Sequence, residues 1–225
     1  MIPIYDDNPA LGKPILVLGI IVLCVIIWFW QSGLGYQANN QMIISYGLTP
    51  AAFLGKMEQA GPLISIFTLF TSMFMHGGFL HIIGNMWFLY IFGDNIESIL
   101  GHIRYFFFYL FCGLFASILQ FFFDPLSTIP MIGASGAISG ILGAYLIKFP
   151  KARIHVLAVF FIFITTIVVP AQLVLGIWFL IQLSQGINSI GINTSGGVAW
   201  FAHIGGFIGG IGSLKIFQTF KIKNI

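Results

Sequence analysis

Hydrophobic residues in this chain come in long runs, and polar residues collect between the runs. Six runs stand out, at 14–31, 78–95, 104–123, 132–149, 163–183 and 197–217. Each is close to the ~20 residues that cross about 30 Å of hydrocarbon as a helix. Runs of this length exceed ordinary strands and predict six membrane-spanning helices. The segment from Arg153 to Val169 is also apolar and stops at Pro170. Its periodicity leaves two readings open, a kinked extension of the fifth helix or a segment lying along the interface. Between the first two runs, residues 32–77 are rich in Gly, Asn and Gln yet carry Ile43, Ile44, Phe53 and Leu54. That mixture predicts a loop lodged at the membrane surface. Residues 185–196 (QGINSIGINTSG) are small, uncharged and glycine-rich, the composition of a mobile loop.

Composition agrees with this pattern. Of 225 residues, 58% are hydrophobic and only 7% are charged, and the mean hydropathy is +1.00. A soluble domain carries about 25% charged residues, so this chain takes lipid as its solvent. No stretch is long enough for a separate soluble domain, and the expectation is one all-α membrane domain over residues 1–225. The first run spans about 17 residues and ends in Trp28, Phe29 and Trp30, with no small-x-small site after it. It predicts a retained helix with an aromatic belt at the interface, not a secretory signal. Cys24 and Cys112 fall in the middle of runs and read as small core residues.

Charge sets the expected orientation. With six spans and both termini inside, Lys13, Arg104, Lys148, Lys151, Arg153, Lys215, Lys221 and Lys223 fall on the inner side and Lys56 alone outside. This asymmetry is the positive-inside pattern. Because the basic residues are juxtamembrane, the net charge of +3 gives no indication of nucleic-acid binding.

Polar groups at membrane depth are costly and mark functional positions. Three clusters qualify: His76-Gly-Gly-Phe-Leu-His81-Ile-Ile-Gly-Asn85, Gly133-Ala-Ser135-Gly136, and Ala202-His203-Ile-Gly-Gly206-Phe-Ile-Gly-Gly210. In the six-span topology each lies about 6–12 Å below the outer end of its helix. A serine hydroxyl needs a base to become a nucleophile, and imidazole is the usual one. Ser135 and His203 are such a pair, on helices with small residues every four positions: Gly136, Gly140 and Ala144 on one, Ala202, Gly206 and Gly210 on the other. Such faces let backbones approach closely, as a Ser–His hydrogen bond of about 2.6–3.2 Å requires. Asn85 and His81, four apart on one helix face, and the backbone N–H of Ser135 are candidate donors for an oxyanion.

The acids are Asp6, Asp7, Glu58, Asp94, Glu97 and Asp124, none of them mid-helix beside these residues. A Ser-His dyad is therefore expected in place of a triad, and the same inventory argues against a paired-aspartate intramembrane protease. No HExxH string occurs, and no metal or cofactor is implied. Each signal has a plainer reading. A Gly-x-Ser-Gly string arises roughly 0.2 times by chance at this composition, serine in a glycine-rich membrane helix often serves packing, and His81 with Asn85 would also serve as a helix-bridging pair. His76, His102 and His155 read as interfacial residues. The coincidence of three clusters at one level favours catalysis.

The strings HGGFLHIIGN, GASGAISG and AHIGGFIGG resemble the three signature segments of the rhomboid family, in order and spacing, and the resemblance covers about 65–217. It implies a six-helix bundle around a water-filled cavity open to the outside, with Ser135 as nucleophile, His203 as base, and His81 and Asn85 as oxyanion donors. It also implies cleavage of transmembrane protein substrates near the extracytoplasmic face, in a multi-pass protein of a prokaryotic cell membrane with both termini cytoplasmic. Glu97, Gly101 and Arg104 resemble a structural pattern of the family at the cytoplasmic turn. The first loop lacks the Trp-Arg pair of many relatives, and Ser139 stands where some carry an aromatic under the histidine. In related proteins the fifth helix and the loop after it are proposed as gate and lid. Here its outer half, with Leu175, Trp178, Phe179 and Gln182, is bulky and supplies none of the expected site residues. Two other readings are weighed: a non-catalytic relative that binds client transmembrane helices, which the intact Ser135–His203 pair argues against, and a channel, which would carry charges along a route through the bilayer. The oligomeric state and the substrate's identity are left open.

Overall fold

A 14-residue helix, α7 (Ser135–Lys148), is enclosed by four others. Every residue from Gly136 to Tyr145 is buried, as expected of a helix that is apolar or small all round. Its neighbours are α5 (Phe79–Leu100), α6 (His102–Phe123), α8 (Ala171–Ser189) and α9 (Trp200–Thr219), with α1 (Ile15–Gly33) against α5 and α6. The computed structural model describes residues 2–8, 12–57, 62–160, 163–190 and 198–219. Glu58, Lys221, Lys223 and the 191–196 part of the predicted mobile loop lie outside them; residues 185–189 of that loop belong to α8.

The four-residue spacing of small residues has the effect expected of it. A Cβ on Gly206 would collide with the Gly136 carbonyl, and one on Gly210 with the Gly140 carbonyl, so α7 and α9 run backbone against backbone. On its other side Gly140 faces Cys112 of α6. The aromatic core around α7 includes Phe92, Tyr105, Phe108, Tyr109 and Tyr145, all fully buried.

Glu97 ties three helices together. Its carboxylate is 2% exposed and accepts from the N–H groups of Leu16 at 2.9 Å and Val17 at 2.8 Å. These belong to the first turn of α1, whose N–H groups have no partner within the helix. The ring Nδ1 of His102 donates to the same carboxylate at 2.5 Å. Between α5 and α6 a single residue, Gly101, turns the chain with φ 75°, a conformation that favours glycine. Near the far ends of α7 and α9, Lys148 Nζ donates to Gln218 Oε1 at 3.5 Å. Lys13, Arg104, Lys148, Lys151, Arg153 and Lys215 thus gather at the end of the bundle opposite Ser135.

The fold is not all-α, which corrects the sequence reading. Three strands, β1 (Ile2–Asp6), β2 (Arg153–Phe160) and β3 (Phe163–Pro170), form an antiparallel sheet in that order. It sits at the basic end of the bundle. The apolar stretch before the fifth helix is therefore not a kinked extension of that helix but a strand pair. Its Ile, Val, Thr and Phe residues favour the extended, pleated backbone, and Pro170 closes the strand at φ −60° and ψ 141° just before α8. The fifth run thus becomes helical at Ala171, eight residues later than expected. The N-terminal strand docks through Arg153 Nε to Asp7 at 2.9 Å, His155 Nε2 to Asp7 at 2.8 Å and a Tyr5–His155 ring stack. Trp87 Nε1 also donates to the Pro3 carbonyl at 2.6 Å.

The first connection is also more ordered than a surface loop. It holds α2 (Tyr36–Tyr46), α3 (Pro50–Phe53), α4 (Pro62–Thr71) and a 3-10 turn at Ser72–Phe74. Among the described residues, α1 and α6 are long and apolar enough to cross a membrane, and Ile66–Phe74 with α5, meeting at 87°, form a third candidate. This is fewer than the six runs expected, because α7 is short and α8 and α9 are diluted by Gly, Ser, Gln and His. Outward faces nevertheless carry large apolar side chains, among them Val22, Ile26, Phe29, Phe107, Ile118 and Leu180.

Candidate active site

Ser135 is the first residue of α7 and His203 lies one turn into α9. The close approach of these helices brings the two side chains together: Ser135 Oγ and His203 Nε2 are 2.8 Å apart. The other ring nitrogen, Nδ1, is 2.7 Å from Gln182 Oε1 on α8. Gln182 is 6% exposed, and its Nε2 donates to the Trp178 carbonyl at 3.3 Å. A carbonyl can only accept, so the amide nitrogen faces Trp178 and the amide oxygen faces His203. Nδ1 must then carry the proton, which leaves Nε2 free to accept from the Ser135 hydroxyl. The imidazole is further framed by Trp178, with ring centroids 6.2 Å apart, and by Trp200, edge-on at 6.1 Å.

His81 and Asn85 stand one turn apart near the start of α5 and face Gly133, two residues before Ser135. A Cβ on Gly133 would lie 2.7 Å from His81 Nε2 and 3.5 Å from Asn85 Nδ2. Gly133 also has φ 123°, so both space and backbone geometry call for glycine here. The Gly77 N–H donates to His81 Nδ1 at 3.4 Å, which places the His81 proton on Nε2, on the Gly133 side. Asn85 Nδ2 is buried with no hydrogen-bond partner among the described residues. The other three predicted site residues thus gather at Ser135 and at Gly133 two residues before it. A small cavity of ≈ 40 Å³ adjoins it, lined by Ser72, Ser117, Gly133, Gly136 and Ala202 among others; it has room for water. Among the described residues no cluster of His, Cys, Asp or Glu is placed to hold a metal ion.

A family model of the rhomboid domain matches residues 64–218, well over half of the chain. The chain belongs to the rhomboid family. This rhomboid, an integral membrane protein, is 29% identical over 199 residues to the rhomboid protease GluP of Bacillus subtilis, covering 88% of this chain and 34% of that protein. It is 30% identical over 145 residues to the mitochondrial rhomboid protein 1 of Saccharomyces cerevisiae, covering 62% and 38%. With the mitochondrial RHOMBOID-like protein 6 of Arabidopsis thaliana it shares 41% over 78 residues, covering 35% and 25%. The chain spans only about a quarter to two fifths of the length of these relatives.

In this rhomboid several positions differ from the sequence expectation. The fifth helix, expected to supply nothing, supplies Gln182 and Trp178. A glutamine in an apolar run is itself the signal that points to it, because a buried amide is costly without partners. Ser139 does not support the histidine; it is 1% exposed and its hydroxyl donates to the Ser135 carbonyl at 2.7 Å. The tryptophans take the place of the missing aromatic. His76 is packed inside the protein, 1% exposed, with its ring edge-on to His81 at 5.2 Å. His102 and His155 pair with Glu97 and Asp7. The first connection is held without a Trp-Arg pair, through reciprocal backbone bonds between Leu48 and Met131 and a bond from Gly133 N–H to the Ser72 carbonyl at 2.8 Å. It thereby braces the segment leading into Ser135.

Proposed function

We propose that this rhomboid is an intramembrane serine endopeptidase, a single membrane domain that cleaves transmembrane proteins near the extracytoplasmic face. The observation that carries this reading is the 2.8 Å Ser135–His203 pair beside the unpartnered Asn85 amide that faces Gly133. The Ser135 hydroxyl gives its proton to His203 Nε2 as Oγ attacks the scissile carbonyl carbon. The resulting oxyanion is received by His81 Nε2–H, Asn85 Nδ2–H and the Ser135 backbone N–H, one of the N–H groups that a helix start leaves unpaired. The buried, unpartnered Asn85 amide would otherwise be a standing cost. His203 then returns the proton to the leaving amine, and water admitted to the site hydrolyses the acyl-enzyme with His203 again as base.

In this reading six helices, α1, α5, α6, α7, α8 and α9, span the bilayer, with both termini and the sheet on the cytoplasmic side of a prokaryotic cell membrane. The gathering of basic residues at the sheet end supports that orientation. At 14 residues α7 is about 21 Å long, shorter than the hydrocarbon core, so its first residue sits below the outer surface. A substrate helix hides its carbonyls in its own hydrogen bonds and must unwind to be cut, more readily where it holds Gly or Pro. The test is reaction of the detergent-solubilised protein with a fluorophosphonate probe. Wild type should label and Ser135→Ala should not; an unlabelled wild type would sink the proposal.

A further inference from the structure

We infer that Gln182 is the positioning residue of the His203 base, so that the working unit is Ser135–His203–Gln182, its third member an amide on α8. This rests on the hydrolase function proposed above. The argument starts from what a base on a mobile ring requires. A neutral imidazole has two tautomers, and only the one with its proton on Nδ1 can accept the Ser135 proton at Nε2. The ring must also be held in plane with Ser135 while it gains charge.

Gln182 meets both requirements without an acid. Its own orientation is determined by the Trp178 carbonyl, which accepts from Nε2 at 3.3 Å. Oε1 is therefore presented to His203 Nδ1 at 2.7 Å, and only the productive tautomer satisfies that contact. When Nε2 takes the serine proton, the imidazolium keeps its Nδ1–H bond to the amide oxygen, whose dipole opposes the new charge in a site that is 94% withdrawn from solvent at Gln182 (6% exposed). A carboxylate in this place would add a buried charge, which is expensive at membrane depth; a neutral acceptor gives the orientation without it. Trp178 acts twice, through its carbonyl on Gln182 and its ring against His203.

The test uses the full chain in detergent, a transmembrane substrate and the fluorophosphonate probe. Gln182→Leu should lower kcat roughly 10–100-fold with KM changed less than about threefold, and labelling of Ser135 should slow in step. Gln182→Glu, its carboxyl kept protonated by burial, can donate to the Trp178 carbonyl and accept from Nδ1–H as the amide does, and should recover most of that loss. Gln182→Met replaces the leucine variant if the latter fails to fold, with the melting temperature of each variant read alongside. Three outcomes with folding intact overturn the inference: unchanged kcat in the apolar variant, a change confined to KM, or a glutamate variant as impaired as the apolar one. Wild type that neither cleaves nor labels would instead remove the function on which the inference stands.

Discussion

Tyr145, near the end of α7, donates its hydroxyl proton to Asp6, 139 positions earlier in the chain. The same carboxylate accepts from Asn95 Nδ2 at 3.3 Å. The helix that begins at Ser135 is thus fastened at its other end to the N-terminal strand.

The fastening depends on pH. Burial, reinforced by Asp94, pushes the Asp6 carboxyl up from 3.8 to about 6, although the Tyr145 hydrogen bond acts the other way. The folded state therefore holds the Asp6 proton more tightly than the unfolded chain. Its contribution to stability is complete below 3.8, declines as pH rises to about 6 and is constant above. The expected result is a melting temperature that falls over that interval in wild type and falls less in Asp6→Asn. Identical pH profiles for the two proteins would show that Asp6 does not titrate with folding.

Members of one catalytic unit are not additive. Ser135→Ala and His203→Ala should each abolish cleavage, and the double variant should be no worse than either. Asp124→Asn should keep activity, because the proposed mechanism uses no carboxylate. A large loss at Asp124 with folding intact would force an acid into the mechanism.

The donors at Gly133 should act on turnover. Loss of one oxyanion donor costs about 10²–10³ in kcat, and Asn85→Ala is expected in that range. His81→Ala should fall nearer its lower end, since the exposed ring loses less than a buried amide. Unchanged turnover in both variants would leave the pair with a purely structural role.

Topology is open to direct measurement. With Cys24 and Cys112 buried, cysteines placed at Asn188 and at Lys151 report on opposite faces. An impermeant thiol reagent added to intact cells should label the first and not the second. Equal labelling would contradict the six-span orientation.

The meeting of Ser135 with His203, and of His81 and Asn85 with Gly133, is legible in the sequence because each lies in a glycine-rich string, and small residues every four positions announce close helix contact. Gln182 is harder to read, since it lies in a bulky run with no motif around it and draws notice only through the cost of burying an amide. The sheet is hidden for a different reason. Hydrophobic run length favours a membrane span, and residues 153–170 satisfy it. Their density of β-branched side chains points to strands, but the partner strand, Ile2–Asp6, is about 150 residues away, beyond the reach of any local pattern. The bracing of Gly133 by Ser72 and of Met131 by Leu48 is likewise made of backbone bonds, to which side-chain identity gives no clue.

The same sheet makes α8 a lever. Its base is pinned where Ala171 N–H bonds the Ala152 carbonyl at 2.8 Å and Gln172 N–H the Pro150 carbonyl at 3.0 Å, and β3 runs into it without a break. Gln182 stands eleven residues up the helix, about 16 Å from that fulcrum. A tilt of about 10° would carry it roughly 3 Å, enough to part it from His203. On the proposed function, a substrate that pushed α8 aside would find the imidazole unfastened, and bond cleavage would wait until the helix swung back.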